Sequence, residues 1–285
     1  MPLAAIHDWS DAYENRAHVP GFERYPPAWA ETAERFRAGL GARARLGVAY
    51  GAHPRQVLDL FLPTGEPRGL AVIWHGGYWK SFSGLDFSHL AGGAVARGWA
   101  VAVPSYRLCP EVRIREITGD AAAALAHAAG LVAGPIRLAG HSAGGHLATR
   151  MACEDIALDQ GVAGRISHIL SISGLHDLRP LLATDKNAEL HIDADEAGAE
   201  SSALRMPRPG TRLTAWAGGE ERPEFLRQTA LIANIWRGLG AATQDVVEPG
   251  RHHFDVIESL AEPGGALTAA LLGGGARSEE RRVGK

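Results

Sequence analysis

The stretch LAGHSAGGHLATR, Leu138 to Arg150, limits the folds open to this chain more than any other. It places Ser142 between Gly140 and Gly144 in a G-x-S-x-G pattern, with the apolar run PIRLAG before it and the helically spaced GGHLATRMACEDI after it. A chain that passes from a buried strand into a helix around a single residue turns sharply. The positions two before and two after that residue then have no room for side chains, which accounts for both glycines. Such an elbow lifts the serine hydroxyl to the carboxyl end of the strand. It also leaves the backbone N–H of Ala143 at the start of the new helix, where partial positive charge gathers. The bland alternative is a glycine-rich helix start with a capping serine. The strand before it and the helix after it favour the elbow.

The remaining chain repeats the strand half of that unit. GLAVIWHGG, WAVAVPSYRL, PIRLAGHS, ISHILSISG and TRLTAWAGG are short, almost wholly apolar runs, as strands buried on both faces require. Helical spacing falls between them, over residues 87–97, 114–131, 145–156 and 224–238. Upstream, AWAETAERFRAGL also reads as a helix, and ARLGVAY and RQVLDLFLP alternate like an antiparallel entry hairpin ended by Gly51 and Pro63. The alternation predicts an α/β fold with a mostly parallel, twisted sheet of about eight strands and helices on both faces. Residues 1–272 are expected to form one domain. Within it, Leu175 to Pro209 is charged and irregular and lies between two strand patterns, so it is expected to be a short inserted cap. From Gly273 a glycine run passes into alternating charge, GGGARSEERRVGK, the pattern of a disordered tail with no assigned function.

Composition removes several classes of function. A formal net charge of −3 gives no general attraction to nucleic acid or anionic lipid. The opening residues carry no basic segment leading into an apolar one, and no run approaches the roughly 18 apolar residues of a membrane span. A cytoplasmic protein with a small-molecule partner is expected, with no nucleic acid and no membrane; a homodimer stays open. Cys109 and Cys153 are isolated and read as ordinary thiols without a disulfide. Among the thirteen histidines no H-E-x-x-H pattern and no third ligand point to a metal. No cofactor is expected either: GLGARA at Gly39 precedes the sheet, and no G-x-G-x-x-G follows a strand.

A serine hydroxyl is a weak nucleophile. If Ser142 reacts, it needs a base, an acid that orients the base, and donors for a developing oxyanion. His75-Gly76-Gly77-Tyr78-Trp79 ends the third predicted strand, where glycines let backbone N–H groups approach a substrate oxygen. Gly76 and Gly77, with Ala143, are the expected oxyanion donors, and His75 braces the loop. The base is expected after the last strand, where His252 and His253 stand; His253 is preferred, with His252 its solvated neighbour. His141 and His146 sit on the elbow and are expected to point away from the hydroxyl. The acid comes from the loop after TRLTAWAGG, which offers both Glu220 and Glu221 and completes the order serine, acid, histidine.

Taken together, LGVAYGAHPRQVLDLFLP, WHGGYWKS, VPSYRLCPE, GHSAGGHLA, SGLHDLRPL, ERPEFLRQT and HHFDVIE resemble the serine-dependent kynurenine formamidase (arylformamidase) group of the α/β-hydrolases, which is related to esterases and lipases. The resemblance runs from about Tyr50 to Leu260. It implies the α/β-hydrolase fold and hydrolysis of N-formylkynurenine to kynurenine and formate, within tryptophan degradation. It also implies Glu221 as the acid, just before the P-E-F-x-x-Q stretch, where many members carry Asp. The metal motif of the unrelated metal-dependent formamidases is missing. Tyr78, Trp79, Phe82 and Tyr106 lie near the ends of the oxyanion strands and are expected either to pack an aryl ring or to serve as ordinary core. Two other readings remain: a carboxylesterase on small aryl or alkyl esters, using the same triad, and a non-catalytic binding protein on the same fold.

Overall fold

The structure, a computed structural model, describes residues 6–273. The expected tail lies outside the described residues beyond Gly273. Eight strands form one sheet: β1 (Ala44–Ala49), β2 (Val57–Phe61), β3 (Leu70–Trp74), β4 (Ala100–Pro104), β5 (Ile136–His141), β6 (Ile166–Ile172), β7 (Arg212–Gly218) and β8 (Ala242–Glu248). Their order is β1-β2-β4-β3-β5-β6-β7-β8. The first two pair antiparallel as the entry hairpin, β2 pairs antiparallel with β4, and every pair from β4 to β8 is parallel.

The middle of the sheet is buried on both faces because β3 and β4 carry apolar residues at every position. In β3, Leu70, Val72 and Trp74 join the core on one face, and Ala71 and Ile73 join the core on the other. This is the period-two division that a pleated strand imposes. Helix Ile114–Leu131 covers the first face with Ile117, Ala121, Leu125 and Ala128, three or four residues apart. On the second face lie Phe87, Leu90, Val95 and Leu271.

Two helices differ from the sequence reading. The segment expected as one helix over residues 87–97 is a 3₁₀ helix, Gly84–Ala91, followed by a short α-helix, Gly92–Ala96. Both parts are pinned by close backbone approach: a Cβ on Gly84 would stand 2.6 Å from the Val103 carbonyl, and one on Gly93 2.5 Å from the Leu260 carbonyl. The helix after β5 spans Ala143–Arg150 and stops short of the expected Ile156. Beyond it, the N–H of Glu154 donates to Met206 O and the N–H of Arg208 to Ala152 O, so a passing segment takes over the backbone hydrogen bonds.

Residues 175–209 form the short helical elements Arg179–Ala183, Asn187–Leu190, Ala194–Glu200 and Ser202–Leu204. Buried Leu178, Leu181, Leu190 and Ile192 seat them on the core, and Arg113 ties Asp193 and Glu196 to the main body. The loops after β3, β5, β7 and β8 converge at the carboxyl edge of the parallel strands, where open α/β sheets bind ligands. Residues 13–29 run past that edge. Fully buried Tyr13 anchors them by donating its hydroxyl to Glu224 Oε1 at 2.7 Å.

Candidate active site

Ser142 occupies the turn between β5 and the helix Ala143–Arg150 with φ 55° and ψ −119°, a conformation that costs a non-glycine residue strain. The glycines beside it are sterically required. A Cβ on Gly140 would lie 2.0 Å from Gly144 O, and one on Gly144 2.0 Å from Trp74 O. The Ser142 N–H donates to Ile172 O at 2.8 Å, which locks the elbow to the next strand. Ser142 is 2% exposed, and the surface it keeps opens on a cavity of about 290 Å³ that His253, Gly76 and Gly77 also line.

His253 follows β8, and its Nδ1 lies 2.7 Å from Glu221 Oε2, with both side chains buried. A carboxylate only accepts, so Nδ1 carries the proton and Nε2 keeps a lone pair. Glu221 is held by more than this contact. Its Oε1 accepts from the Ser173 hydroxyl at 2.5 Å and from the Gly218 N–H at 2.8 Å. Three donors on a buried carboxylate fix its position. Glu220 is exposed, and only its backbone takes part, donating to Arg251 O. His252 is not the solvated neighbour expected: its Nε2 meets the Tyr25 hydroxyl at 3.0 Å, and its side chain is 17% exposed.

The loop after β3 is wound tightly. Gly77 has φ 111°, and Tyr78, Trp79 and Phe82 are left-handed at 49°, 55° and 71°. Arg55 fastens the loop by donating to Phe82 O at 2.5 Å and to Tyr106 O at 2.8 Å. Gly76 stands against the elbow, since a Cβ there would be 3.1 Å from the Ser142 Cβ. Among the described residues no protein acceptor takes the N–H of Gly76, Gly77 or Ala143, which leaves these three donors for a ligand oxygen. His75 is stacked on Tyr106 with centroids 4.3 Å apart and donates from Nδ1 to Gly76 O. Burial pushes its pKa down to about 4, so it braces the loop as a neutral ring.

Of the four aromatics expected near the substrate, Tyr78 and Phe82 line the cavity; Trp79 and Tyr106 do not. Trp79 is fully buried and donates its indole N–H to His146 Nδ1, while the Tyr106 hydroxyl donates to His75 O. The left-handed turns at Tyr78 and Trp79 send adjacent rings to different places, which spacing alone does not reveal. The remaining aromatic lining is Phe22, Trp29, Phe87 and Phe254.

Sequence reasoning missed three contributions. His141, expected only to point away from the hydroxyl, also lines the cavity with its ring centroid 4.6 Å from that of His253, and its Nε2–H donates to the His253 carbonyl at 2.9 Å. Burial, with the neighbouring His253, holds the His141 pKa well below the usual histidine range. Ser173, left-handed at φ 51°, positions Glu221 from the end of β6. Glu14, Asn15 and Arg16 reach the cavity from the polar opening of the chain, where no motif marks them.

Residues 71–211 match the sequence model of the α/β hydrolase fold. Two fish proteins named kynurenine formamidase are similar along most of the chain. That of Salmo salar is 29% identical over 262 residues, 86% of each chain. That of Danio rerio is 28% identical over 252 residues, 83% of each. A solved structure described as a putative thioesterase from Silicibacter sp. TM1040 is 49% identical, superposes with a TM-score of 0.87, and is matched over 92% of this chain and 98% of that one.

Proposed function

From the premise that the chain belongs to the α/β-hydrolase family and is a hydrolase, we propose that it cleaves an aryl formamide of the N-formylkynurenine kind to the free arylamine and formate. Ser142 is the nucleophile, His253 the base and then the acid, and Glu221 the group that orients His253 and stabilises its charged form. The His253 Nε2 takes the hydroxyl proton as Oγ adds to the formyl carbon. The N–H groups of Gly76, Gly77 and Ala143 hold the oxyanion, and the imidazolium returns its proton to the departing aryl nitrogen. The formyl-serine is then hydrolysed by water through the same sequence.

The observation that carries the reading is the buried Glu221–His253 hydrogen bond at 2.7 Å on the cavity that Ser142 lines. The formamide rather than a long acyl chain is supported by the cavity. Its volume of about 290 Å³ is at the small end of ligand sites, and its wall is aromatic. The two fish relatives, whose names refer to a formamidase, support the same substrate. Ester or thioester cleavage is the second reading, favoured by the description of the 49% identical structure.

A test compares kcat/KM for N-formylkynurenine and p-nitrophenyl acetate on one preparation, with Ser142→Ala as control. The expected outcome is formamide turnover at about 10⁴ M⁻¹s⁻¹ or more. In Ser142→Ala, labelling by a fluorophosphonate and nearly all turnover should be lost. Undiminished labelling of Ser142→Ala rejects the nucleophile. An inert formamide alongside rapid ester cleavage selects the second reading.

A further inference from the structure

The lining of the cavity changes in chemistry as exposure increases. The reacting groups Ser142 and His253 are buried, the aromatic residues Phe22, Phe82 and Phe254 are half-buried, and a charged rim contains Glu14, Arg16, Lys80 and Lys186. Most of that rim is already paired. Lys80 meets Glu189 at 2.5 Å, and Lys186 meets Glu14 at 3.0 Å while lying 4.6 Å from the centre of the Tyr78 ring. Arg16 is the exception. Its guanidinium rests over the Phe22 ring, 5.6 Å from the centroid, and has no carboxylate within 4.0 Å among the described residues.

Beside it, Asn15 is 5% exposed and lines the same cavity, yet its Nδ2 has no hydrogen-bond partner among the described residues. A buried amide donor without an acceptor costs free energy that a ligand oxygen can return. The Nδ2 itself is covered as placed, and presenting its N–H to an anion takes a half-turn of the amide, which no hydrogen bond at Nδ2 opposes. Glu14 completes the segment: its Oε1 accepts the Arg16 N–H at 2.8 Å, which aligns the carboxylate with the rim.

We infer that Asn15 and Arg16 form a subsite for the carboxylate of an α-amino acid end group, with Glu14, which already holds Lys186, bordering it. The inference rests on the proposed aryl formamide reading and names the part of the substrate that lies beyond the ring. A guanidinium presents parallel N–H donors that match a carboxylate, so the anionic end of the substrate meets complementary charge at the one rim cation without a carboxylate partner among the described residues. The two lysines, held by Glu189 and Glu14, instead brace the rim.

The test uses three formamides of one aryl core: N-formylkynurenine, N-formylkynuramine, which lacks only the carboxylate, and N-(2-acetylphenyl)formamide, which lacks both charges. Arg16→Gln is expected to lower kcat/KM for N-formylkynurenine about 10- to 100-fold, mainly through KM, and to leave the other two within about twofold. Equal loss on all three substrates, or no loss on any, overturns the subsite. Binding of kynurenine and of 2-aminoacetophenone to the Ser142→Ala protein, measured by calorimetry, separates this failure from failure of the reaction assigned. A preference for kynurenine that Arg16→Gln abolishes upholds the subsite even if every formamide is inert. No such preference, in a protein that turns over formamide, rejects the subsite and keeps the reaction.

Discussion

Glu221 is tied through both carboxylate oxygens, one to His253 and the other to Ser173 and the Gly218 N–H. An amide in its place would have to point its NH₂ either at a ring nitrogen that must stay protonated or at two donors. Glu221→Gln is therefore expected to lower kcat by about 10² to 10⁴ through the wrong tautomer of His253. Glu220→Gln, altering an exposed side chain, should leave kcat near wild type, and steady-state kinetics of the two variants decide between them. How far such residues can be read from sequence depends on contact range. Ser142 and Gly140 are legible because the elbow crowds Gly140 against Gly144 O within five residues, and Gly144 is legible as part of the same motif although the atom it must clear is Trp74 O on β3. Ser173 and His141 act on partners 48 and 112 residues away, and nothing in their own neighbourhoods records it. Glu221 was separable from Glu220 weakly by spacing and mainly by resemblance, since both follow β7 in the same turn.

At the scale of elements, glycine has opposite values in two places. Gly77 sits at φ 111°, and a Cβ there would be 2.6 Å from Ser81 O, so Gly77→Ala should distort the loop after β3 and cost about 10² in kcat, as loss of one oxyanion donor does. Gly119 lies exposed inside the helix Ile114–Leu131, where a Cβ meets nothing within 4 Å. Gly119→Ala should raise stability by about 0.5–1 kcal/mol in a denaturant titration, with kinetics unchanged. The strands were legible because continuous apolar runs admit few other arrangements. The helix expected over residues 87–97 was misread because periodicity reports which face is apolar, and a 3₁₀ turn squeezed against β4 keeps much the same face. The wall supplied by residues 14–29 was not legible at all: its polar and aromatic residues gain their roles from the sheet edge they pass.

Across the whole molecule, burial keeps several histidines neutral. The pKa values of His75 and His89 are pushed down to about 4, and those of His146 and His176 to about 3. In the unfolded chain each takes up a proton near pH 6.5, so below that value the unfolded state binds more protons and stability falls. The loss grows as pH drops and levels off below the folded pKa values, with a ceiling of about 1.4 kcal/mol per histidine per pH unit. Urea midpoints measured at about pH 7.5 and about pH 5 should therefore differ, the lower pH giving the lower midpoint; equal midpoints would show these rings to be protonated when folded. No helix among the described residues is long and apolar enough to cross a membrane. The segment that walls the cavity is fastened to the body by side-chain contacts and contributes no strand: Tyr13 meets Glu224, the Tyr78 hydroxyl meets Tyr13 O, and Lys186 meets Glu14. A piece of chain attached in this way is exchangeable. Recombination can swap it between relatives without shifting the register of any strand, so this wall of the cavity and the sheet edge it faces are heritable as separate parts.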